Sequence, residues 1–311
     1  MTLTQLRYVL AVAEEGSFSE AARKVFISQP SLTVSIKELE QELGIVIFTR
    51  TNKGVRISSE GDSFLGYARQ VVEQVSLLEE RYHGKRSGKQ SFSVSSQHFS
   101  FAVEAFVDLV KKFGQNRYDF TIRETQTYEI LEDVAKLRSE VGLLYLNRYN
   151  EAVLSKALSQ HSLEFHSLCI ARPHVFIGTD SPLAGRDSVH LSDLADFPYL
   201  SFEQGEHNSF FFSEELLSEI ERRKNIRVRD RATLFNLLRG INGYTISSGM
   251  ISSALNGDDI LSIPLDVDDY MDIGYIVHKR IDPGALGRFY IDSLHIHIER
   301  YRALGIVKDY S

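Results

Sequence analysis

The stretch SQPSLTVSIKELEQELG, residues 28–44, combines an apolar stripe with a polar beginning. Its large apolar residues recur at steps of four, three and four, which is the spacing of one face of an α-helix. That stripe consists of Leu32, Ile36, Leu39 and Leu43. The serines and threonine of the first turns are mediocre helix formers and lie off the stripe or at its border. The pattern predicts a helix that packs through its stripe and presents short polar side chains near its N-terminus.

Two shorter helices and a hairpin are predicted around this helix. Residues 3–14 carry apolar side chains at helical spacing, and Ser17 with Glu20 has the spacing of a capping box that opens a second helix, predicted to run through Phe26. A basic turn, TRTNKG, and a short β-like segment, VRIS, follow the third helix. Three helices and a basic hairpin predict a winged helix-turn-helix domain over residues 1–58.

Composition restricts the class of protein. The chain has 311 residues, enough for two or more domains, and a formal net charge of −7, which excludes a uniformly basic surface but not a local basic patch. The sequence contains no apolar run of the roughly 18 residues that span a bilayer, and its N-terminus does not resemble a signal peptide. Cys169 is the only cysteine, so a reducing compartment fits. We expect a cytoplasmic protein.

A long helix is predicted to follow the first domain. Its apolar residues step by four, three, four, three and four, the seam of a coiled coil. The seam, which favours dimerisation over packing on its own domain, consists of Phe64, Ala68, Val71, Val75, Leu78 and Tyr82. The segment GKRSGKQ, residues 84–90, is predicted to be a hinge. Residues 59–90 are therefore assigned to a linker and dimerisation helix with its hinge.

Strands and helices alternate over residues 91–311, which predicts two doubly wound α/β lobes. We expect one lobe over about 91–162 and 265–311 and the other over about 163–264. Within the second lobe, the pattern predicts helices near 209–223 and 232–240. The whole chain is thus an α + α/β protein with a winged helix-turn-helix, a linker helix and a two-lobed domain.

The segment GSFSEAARKVFISQPSLTVSIKELEQELGIVIFTR, residues 16–50, resembles the LysR-type transcriptional regulators, and the resemblance extends along the full length of the chain. The segments SSQHFSF, DRATLFNLL, GYTIS and SIPLDVDD look closer to a Gram-positive subgroup linked to methionine or amino-acid supply and cell-envelope control. The resemblance implies a homodimer that pairs into a homotetramer, an inverted-repeat operator in double-stranded DNA, and periplasmic-binding-protein-like lobes with a small effector between them. RNA polymerase is expected as an indirect partner.

The third helix and the hairpin supply the residues expected to bind DNA. Short polar side chains near the start of a recognition helix read base edges, and basic side chains of the hairpin contact the backbone. These residues are Gln29, Pro30, Ser31, Thr33, Val34, Ser35, Lys37, Arg50, Thr51, Lys53 and Arg56. The alternative is a small helical protein-interaction domain whose hydroxyl groups are only solvated.

Hydroxyl and amide side chains follow several predicted strands of the two lobes, where ligands of doubly wound folds bind. Exposed backbone N–H groups together with hydroxyls suit a carboxylate. The candidate effector-binding residues are Ser95, Ser96, Gln97, His98, Thr125, Gln126, Thr127, Ser201, Glu203, Asn208, Ala232, Thr233, Ser247 and Ser248. The alternative is that each of them only caps a helix.

Enzyme motifs are missing from the sequence. It has no G-x-S-x-G elbow near His98, no H-E-x-x-H around His295 and Glu299, and no phosphate-binding G-x-x-x-x-G-K-[ST]. We therefore expect no enzymatic activity, no cofactor and no metal. The sequence predicts a DNA-binding transcriptional regulator whose response is set by an amino acid or related small carboxylate. The alternative is a binding or transport protein of the periplasmic-binding-protein type.

Overall fold

The structure is a computed structural model of the chain, and it describes residues 1–51, 54–82, 90–115, 117–207 and 209–308. Contacts between residues divide the chain into two compact units, Met1–Ser87 and Gly88–Ser311. Within the described ranges, every helix is too short or too polar to cross a bilayer.

The first unit contains the predicted helices and hairpin. Its elements are α1 (Leu3–Glu15), α2 (Phe18–Lys24), α3 (Gln29–Leu43), the antiparallel strands β1 (Phe48–Thr51) and β2 (Gly54–Ile57), and α4 (Ser59–Tyr82). Helix α2 ends two residues before the predicted Phe26, which has a φ of 57° and therefore cannot continue a right-handed helix. The hydroxyl of Ser58, rather than that of Ser59, caps α4 by accepting from the Gly61 backbone N–H at 2.8 Å.

The predicted apolar stripe anchors α3 in the core of the first unit. Leu32, Ile36 and Leu39 are buried, and each contributes about 1.5–3 kcal/mol by leaving water. The small side chains of Ala21 and Ala22 are buried in the same core and let α2 approach α3 closely. The stripe thus fixes which face of α3 remains exposed.

The end of α3 also holds the hairpin. Gly44 closes the helix with a φ of 69°, as predicted. The Glu40 carboxylate accepts from the backbone N–H groups of Ile47, at 2.7 Å, and Phe48, at 3.0 Å. A Cβ atom on Gly61 would lie 2.4 Å from the Ile47 carbonyl oxygen, so α4 can pass this close only with glycine there. The position of the hairpin therefore depends on α3 and α4 together.

The second unit contains two mixed sheets. Lobe I is the sheet of order β13-β6-β12-β5-β3-β4 with its helices, and lobe II is the sheet of order β11-β7-β10-β8-β9 with its helices. The strands are β3 (Gln90–Ser96), β4 (Tyr118–Glu124), β5 (Val141–Leu146), β6 (Leu163–Ala171), β7 (His174–Gly178), β8 (Tyr199–Phe202), β9 (Asn225–Val228), β10 (Tyr244–Ser247), β11 (Ile260–Pro264), β12 (Met271–His278) and β13 (Val307–Lys308). The helices are α5 (Ser100–Phe113), α6 (Thr127–Ala135), α7 (Glu151–Gln160), α8 (Arg231–Gly240), α9 (Ser253–Asn256) and α10 (Ala285–Ala303).

Each sheet has a parallel centre, as a doubly wound fold requires, with antiparallel return strands added. Strand β3 pairs in parallel with β4 and β5, and β8 pairs in parallel with β9 and β10. Strand β6 pairs with β12 of lobe I, so the chain enters lobe II after Ala171 and not at residue 163 as predicted. The predicted boundary was wrong because β6 is a return strand and not the first strand of a new sheet.

The predicted helix near 209–223 is also wrong. Only a short 3-10 helix, Phe210–Phe212, forms there, and the chain then runs through turns as far as β9. Leu217 lies in the left-handed region with a φ of 57°, which a right-handed helix cannot contain. This segment instead directs two glutamate side chains into the interior, and both are buried.

Candidate nucleic-acid interface and ligand cleft

The face of α3 opposite the apolar stripe is exposed and carries four of the eleven predicted DNA-binding residues. Pro30, Ser31, Val34 and Lys37 are exposed along it. Hydroxyls can donate to or accept from base edges, and the Val34 methyl groups can contact a thymine methyl. The surface therefore has the dimensions of one helix face and the chemistry needed to read a major groove.

Two of the other predicted residues of α3, Gln29 and Thr33, bond to each other within the helix. Gln29, Thr33 and Ser35 are half-buried. The Thr33 hydroxyl donates to the Gln29 carbonyl at 3.0 Å and accepts from the Gln29 amide at 3.0 Å. The hydroxyls of Ser28 and Ser31 lie 2.7 Å apart, and the Ser28 hydroxyl accepts from the Ser31 backbone N–H. These bonds hold the first turn of α3 in a single arrangement before any partner binds.

The hairpin contributes one described basic side chain. Arg56 on β2 is exposed, and its backbone carbonyl accepts from the Thr49 hydroxyl at 3.3 Å across the hairpin. Arg50 and Thr51 lie on β1, but their side chains are outside the described part of the structure, as is the whole of Lys53. The hairpin is fixed to the helices by the Val55 backbone N–H, which donates to the Gly16 carbonyl at 3.1 Å.

The predicted seam of α4 divides into two halves. Phe64 packs against the core of the first unit and Ala68 is buried, so these two side chains are not free for a second copy as predicted. They are covered because the first half of α4 lies against α1. Val71 and Leu78 are 47% and 61% exposed, and Val75 is half-buried. The Tyr82 side chain and the predicted hinge residues 84–89 lie outside the described residues.

The two lobes meet at a hydrogen bond between His98, which follows β3, and Glu214 of lobe II. The imidazole Nδ1 lies 2.8 Å from the Glu214 carboxylate, and the His98 backbone N–H donates to the same oxygen at 3.0 Å. Both side chains are only 6% exposed. The imidazole also stacks on the Phe202 ring at 3.6 Å between centroids, with 3° between the planes. This contact closes one end of the cleft.

A chain of amide hydrogen bonds continues from this hydrogen bond. The Gln204 amide donates to Glu214 at 3.2 Å, and its oxygen accepts from the Thr127 backbone N–H at 3.0 Å. The Thr127 hydroxyl accepts from the Gln97 amide at 2.7 Å, and the Gln97 oxygen accepts from the Tyr145 backbone N–H at 3.2 Å. The polar groups at the strand ends of lobe I are thus satisfied by lobe II or by one another.

A second set of bonds closes the opposite side of the cleft. Arg231, the first residue of α8, forms an ion pair with Glu124 of lobe I and donates to the Ser100 hydroxyl at 2.8 Å. The Ser252 hydroxyl of lobe II donates to the Glu104 carboxylate of lobe I at 2.7 Å. Burial of these charged groups strengthens their attraction relative to an exposed pair. The lobes are therefore held together by charges on both sides of the cleft.

A cavity of about 30 Å³ remains between the two sets of bonds. That volume holds a water molecule or two but not an amino acid. Its lining includes four of the predicted effector-binding residues, and it also includes residues that the sequence patterns did not identify. The predicted ones are Gln97, His98, Ser247 and Ser248, and the missed ones include Ser100, Phe202, Glu214, Glu215 and Arg231.

The remaining predicted effector-binding residues do not line this cavity. Most of their polar groups bond within their own lobe: Ser95 to Asp133 and Ser139, Ser96 to the Gln97 carbonyl, Thr125 to Glu129, Glu203 to Arg229, and Thr233 to Asp230. Thr127 does not line the cavity, but its hydroxyl accepts from the amide of Gln97, which does. Ser201, Gln126 and Ala232 are also absent from the lining, and Asn208 is outside the described residues.

A wider recess of about 520 Å³ lies beside the cavity and shares Arg231 and Phe235 with it. Four of its charged side chains are already paired, Arg231 with Glu124 and Arg239 with Asp259, and the fifth, Asp230, caps α8. Ala232 is the one predicted effector-binding residue in its lining. The smaller cavity is lined by four of the predicted effector-binding residues and is therefore the better candidate. Among the described side chains, no group of three or more His, Cys, Asp or Glu is arranged to hold a metal ion.

Glu215 lies beside Glu214 and is buried as deeply. Its carboxylate accepts from the Phe202 backbone N–H at 2.8 Å and from the Ser213 hydroxyl at 3.0 Å. Burial, and secondly the negative charge of Glu214, raise the pKa of Glu215 to about 8. This carboxyl is therefore protonated at neutral pH, and the cleft carries one negative charge there rather than two.

This shift predicts how stability depends on pH. In the unfolded chain the Glu215 carboxyl loses its proton near pH 4.5, whereas in the folded chain it keeps the proton up to about pH 8. Because the folded state binds more protons in this pH window, the contribution of Glu215 to the free energy of unfolding falls as pH rises, by up to about 1.4 kcal/mol per pH unit. Glu215→Gln should flatten the decline of Tm between pH 5 and 8, measured by thermal unfolding. Glu203→Gln is the control, and parallel curves for wild type and Glu215→Gln would contradict the prediction.

Comparison with known proteins gives matches over most of the chain. The family model described as "Bacterial regulatory helix-turn-helix protein, lysR family" matches residues 3–62, and "LysR substrate binding domain" matches residues 95–295. The regulator ClcR of Pseudomonas putida is 43% identical over 235 residues, 74% of each chain. The uncharacterized regulator YnfL of Escherichia coli is 31% identical over 207 residues, which is 65% of each chain, so the match spans less than two thirds of that relative.

Solved structures show a similar fold. A C206 mutant of OxyR from Corynebacterium glutamicum matches with a TM-score of 0.53 at 20% identity, over 100% of this chain and 96% of that chain. At this identity the likeness concerns the fold alone. It supports the order of a helix-turn-helix unit followed by a two-lobed α/β unit.

Proposed function

Because the chain belongs to the LysR family of bacterial helix-turn-helix regulatory proteins, we propose that it regulates transcription by reading an operator with the exposed face of α3. The observation that carries this proposal is the division of α3 into a buried apolar stripe and an exposed polar face at its N-terminal half. The operator is double-stranded DNA with an inverted repeat, because two copies related by a two-fold axis present two such faces.

The parts of the chain have separate roles in this proposal. Residues 1–58 bind DNA, residues 59–90 join copies into a homodimer that pairs into a homotetramer, and residues 91–311 bind the effector. The protein acts in the cytoplasm, contacts RNA polymerase only indirectly, and performs no enzymatic reaction. The alternative of a periplasmic-type transport protein is set aside, because the matched relatives are transcriptional regulators.

The effector is proposed to be an amino acid or related small carboxylate. The candidate cavity is lined by His98, Arg231 and Ser247, which can donate hydrogen bonds to an anion that replaces the carboxylates of Glu214 or Glu124. The narrower assignment, to a Gram-positive subgroup linked to methionine or amino-acid supply and cell-envelope control, agrees with an effector of this class. A thermal-shift screen against amino acids and sulfur metabolites tests both.

The signal is proposed to travel by a change in how the lobes pack. A ligand that binds one arrangement of lobes I and II more tightly than the other shifts the equilibrium toward it. In a tetramer that shift changes the spacing of the four α3 helices. The decisive measurement is binding to operator duplexes recovered by genome-wide mapping, because protein that shows no preference for them over random duplex would overturn the proposed function.

The hairpin is expected to supply affinity without specificity. Arg56→Ala should weaken binding to every DNA sequence to a similar degree and lower the slope of log affinity against log salt by about 1, because one phosphate contact is lost. Arg50→Ala and Lys53→Ala should each act in the same way. Fluorescence anisotropy across a salt series measures both effects, with Arg280→Ala, an exposed arginine of the second unit, as control. Operator binding that is insensitive to Arg50 and Lys53 together would show that the hairpin is not a DNA-binding wing.

A further inference from the structure

The carboxylate of Glu214 occupies a site built from donors of both lobes. Lobe I supplies the His98 backbone N–H at 3.0 Å and the imidazole Nδ1 at 2.8 Å, and lobe II supplies the Gln204 amide at 3.2 Å. The imidazole cannot turn away freely, because it stacks on Phe202 at 3.6 Å. Three converging donors around one buried carboxylate have the chemistry of an anion-binding site.

These donors lie where an effector carboxylate is expected. His98 follows the carboxyl end of β3, which is the edge at which doubly wound folds bind ligands. With Glu214 in place the remaining cavity is about 30 Å³, too small for a second carboxylate beside the first. An effector carboxylate and the Glu214 carboxylate therefore compete for the same donors.

The backbone that carries Glu214 is held in the core, so displacement concerns the Glu214 side chain. Between the 3-10 helix at Phe210–Phe212 and β9, the chain forms turns and no regular helix or strand. Leu216 and Leu217 are buried in the core, and the Tyr145 hydroxyl lies 3.3 Å from the carbonyl oxygens of Ser213 and Glu215. Displacement therefore requires the Glu214 side chain to swing away while its backbone and the buried Glu215 stay in place.

We propose that Glu214 is a tethered substitute for the effector carboxylate, which holds the lobes closed until a free carboxylate displaces it from His98. This inference rests on the proposed function and names the regulation of the same cleft. A tethered group competes at an effective concentration in the millimolar range or above, so the apparent affinity for the effector is lower than that of the open site. The effector must therefore carry, besides its carboxylate, groups that bind elsewhere in the cleft.

Removing the tethered group should create a site for a small free carboxylate. In the full-length chain, Glu214→Ala should lower Tm, and sodium acetate should then raise it in a saturable manner, by about 3 °C or more near 100 mM, relative to sodium chloride at equal ionic strength. Acetate should shift wild type by less than a third of this amount. Glu214→Gln, which keeps the shape and loses the charge, should lie between the two.

Two comparisons make the result decisive. Glu203→Ala removes a carboxylate that pairs with exposed Arg229, and acetate should not restore its Tm. The inference is overturned if acetate stabilises neither Glu214 variant beyond wild type, or if it stabilises Glu203→Ala equally. If Glu214→Ala does not fold, Glu214→Gln tests the inference by itself. The rise in Tm that acetate causes in Glu214→Gln must then exceed the rise in wild type.

A DNA-binding measurement separates this inference from the proposed function. The probe is a duplex selected by the wild-type protein from a random pool. The operator affinity of Glu214→Ala should change at least threefold with acetate, whereas that of wild type should not. If wild type selects no duplex, the proposed function fails whatever acetate does. If wild type binds its duplex but acetate affects neither the Tm nor the operator affinity of the variants, the Glu214 inference alone fails.

Discussion

Replacing Val71 and Leu78 together by aspartate is expected to give monomers and to lower operator affinity by about a hundredfold or more. Both side chains lie on the half of α4 that the first unit leaves exposed. An apolar seam between two copies would bury four unpaired charges in the variant, and each buried charge costs far more than the contact it replaces. Without the seam, the two half-sites of an operator are bound independently, and the gain from linked binding is lost.

Light scattering measures the mass of the variant, and fluorescence anisotropy measures its operator affinity. The matched control is Leu137→Asp with Leu304→Asp, since both leucines are exposed and lie outside α4. The control should remain a dimer with unchanged affinity. A Val71 and Leu78 variant that stays dimeric would show that α4 does not join the copies.

Ser31→Ala and Thr33→Ala are expected to change which operator is preferred rather than how tightly all DNA is bound. A base-reading side chain is worth about 1–3 kcal/mol of discrimination, so preference at one base position should change roughly 5- to 150-fold. Ser31 is exposed at the start of α3, and Thr33 holds the Gln29 amide at 3.0 Å, so its loss also releases Gln29. Selection from a random DNA pool, followed by sequencing, measures the preference.

Gln41→Ala is the matched control for these two substitutions. Gln41 is exposed on the same helix but lies three turns beyond Ser31, in the half that includes Glu38, Glu40 and Glu42. Its removal should leave the selected sequence unchanged. The same selected sequence for wild type, Ser31→Ala and Thr33→Ala would contradict the assignment of α3 as the reading helix.

Local signals made the first unit predictable. The bounds of α3 follow from Ser28, Gly44 and an apolar stripe, all within 17 residues of sequence. The end of α2 was not predicted, because a phenylalanine side chain does not indicate a left-handed backbone conformation at Phe26. The two halves of the α4 seam could not be separated either, because packing against α1 is a tertiary contact between residues with the same apolar pattern.

The cavity residues that follow strands were predictable, whereas Glu214 was not. Gln97 and His98 were identified because they follow a strand, and the edge of a parallel sheet is a local inference. Glu214 lies 116 residues from His98 along the chain, inside a segment whose pattern favoured a helix. Its role comes from long-range hydrogen bonds that replace those of a helix. Similarly, the hydroxyls of Ser95 and Thr233 look like ligand groups in sequence, and only their partners Asp133 and Asp230 show otherwise.

The pairing of β6 with β12 makes lobe II an insertion within lobe I. Ala171, where the chain leaves, and Met271, where it returns, are directly opposite each other in the sheet, and Val307 pairs with Ala171 on the other side. A tight turn in place of residues 172–270 would join the same two strands as a hairpin and keep every pairing of the six-stranded sheet. The sheet of lobe I is thus topologically complete without lobe II. A different inserted lobe, with a different ligand preference, could replace lobe II without a change in the strand pairing of lobe I.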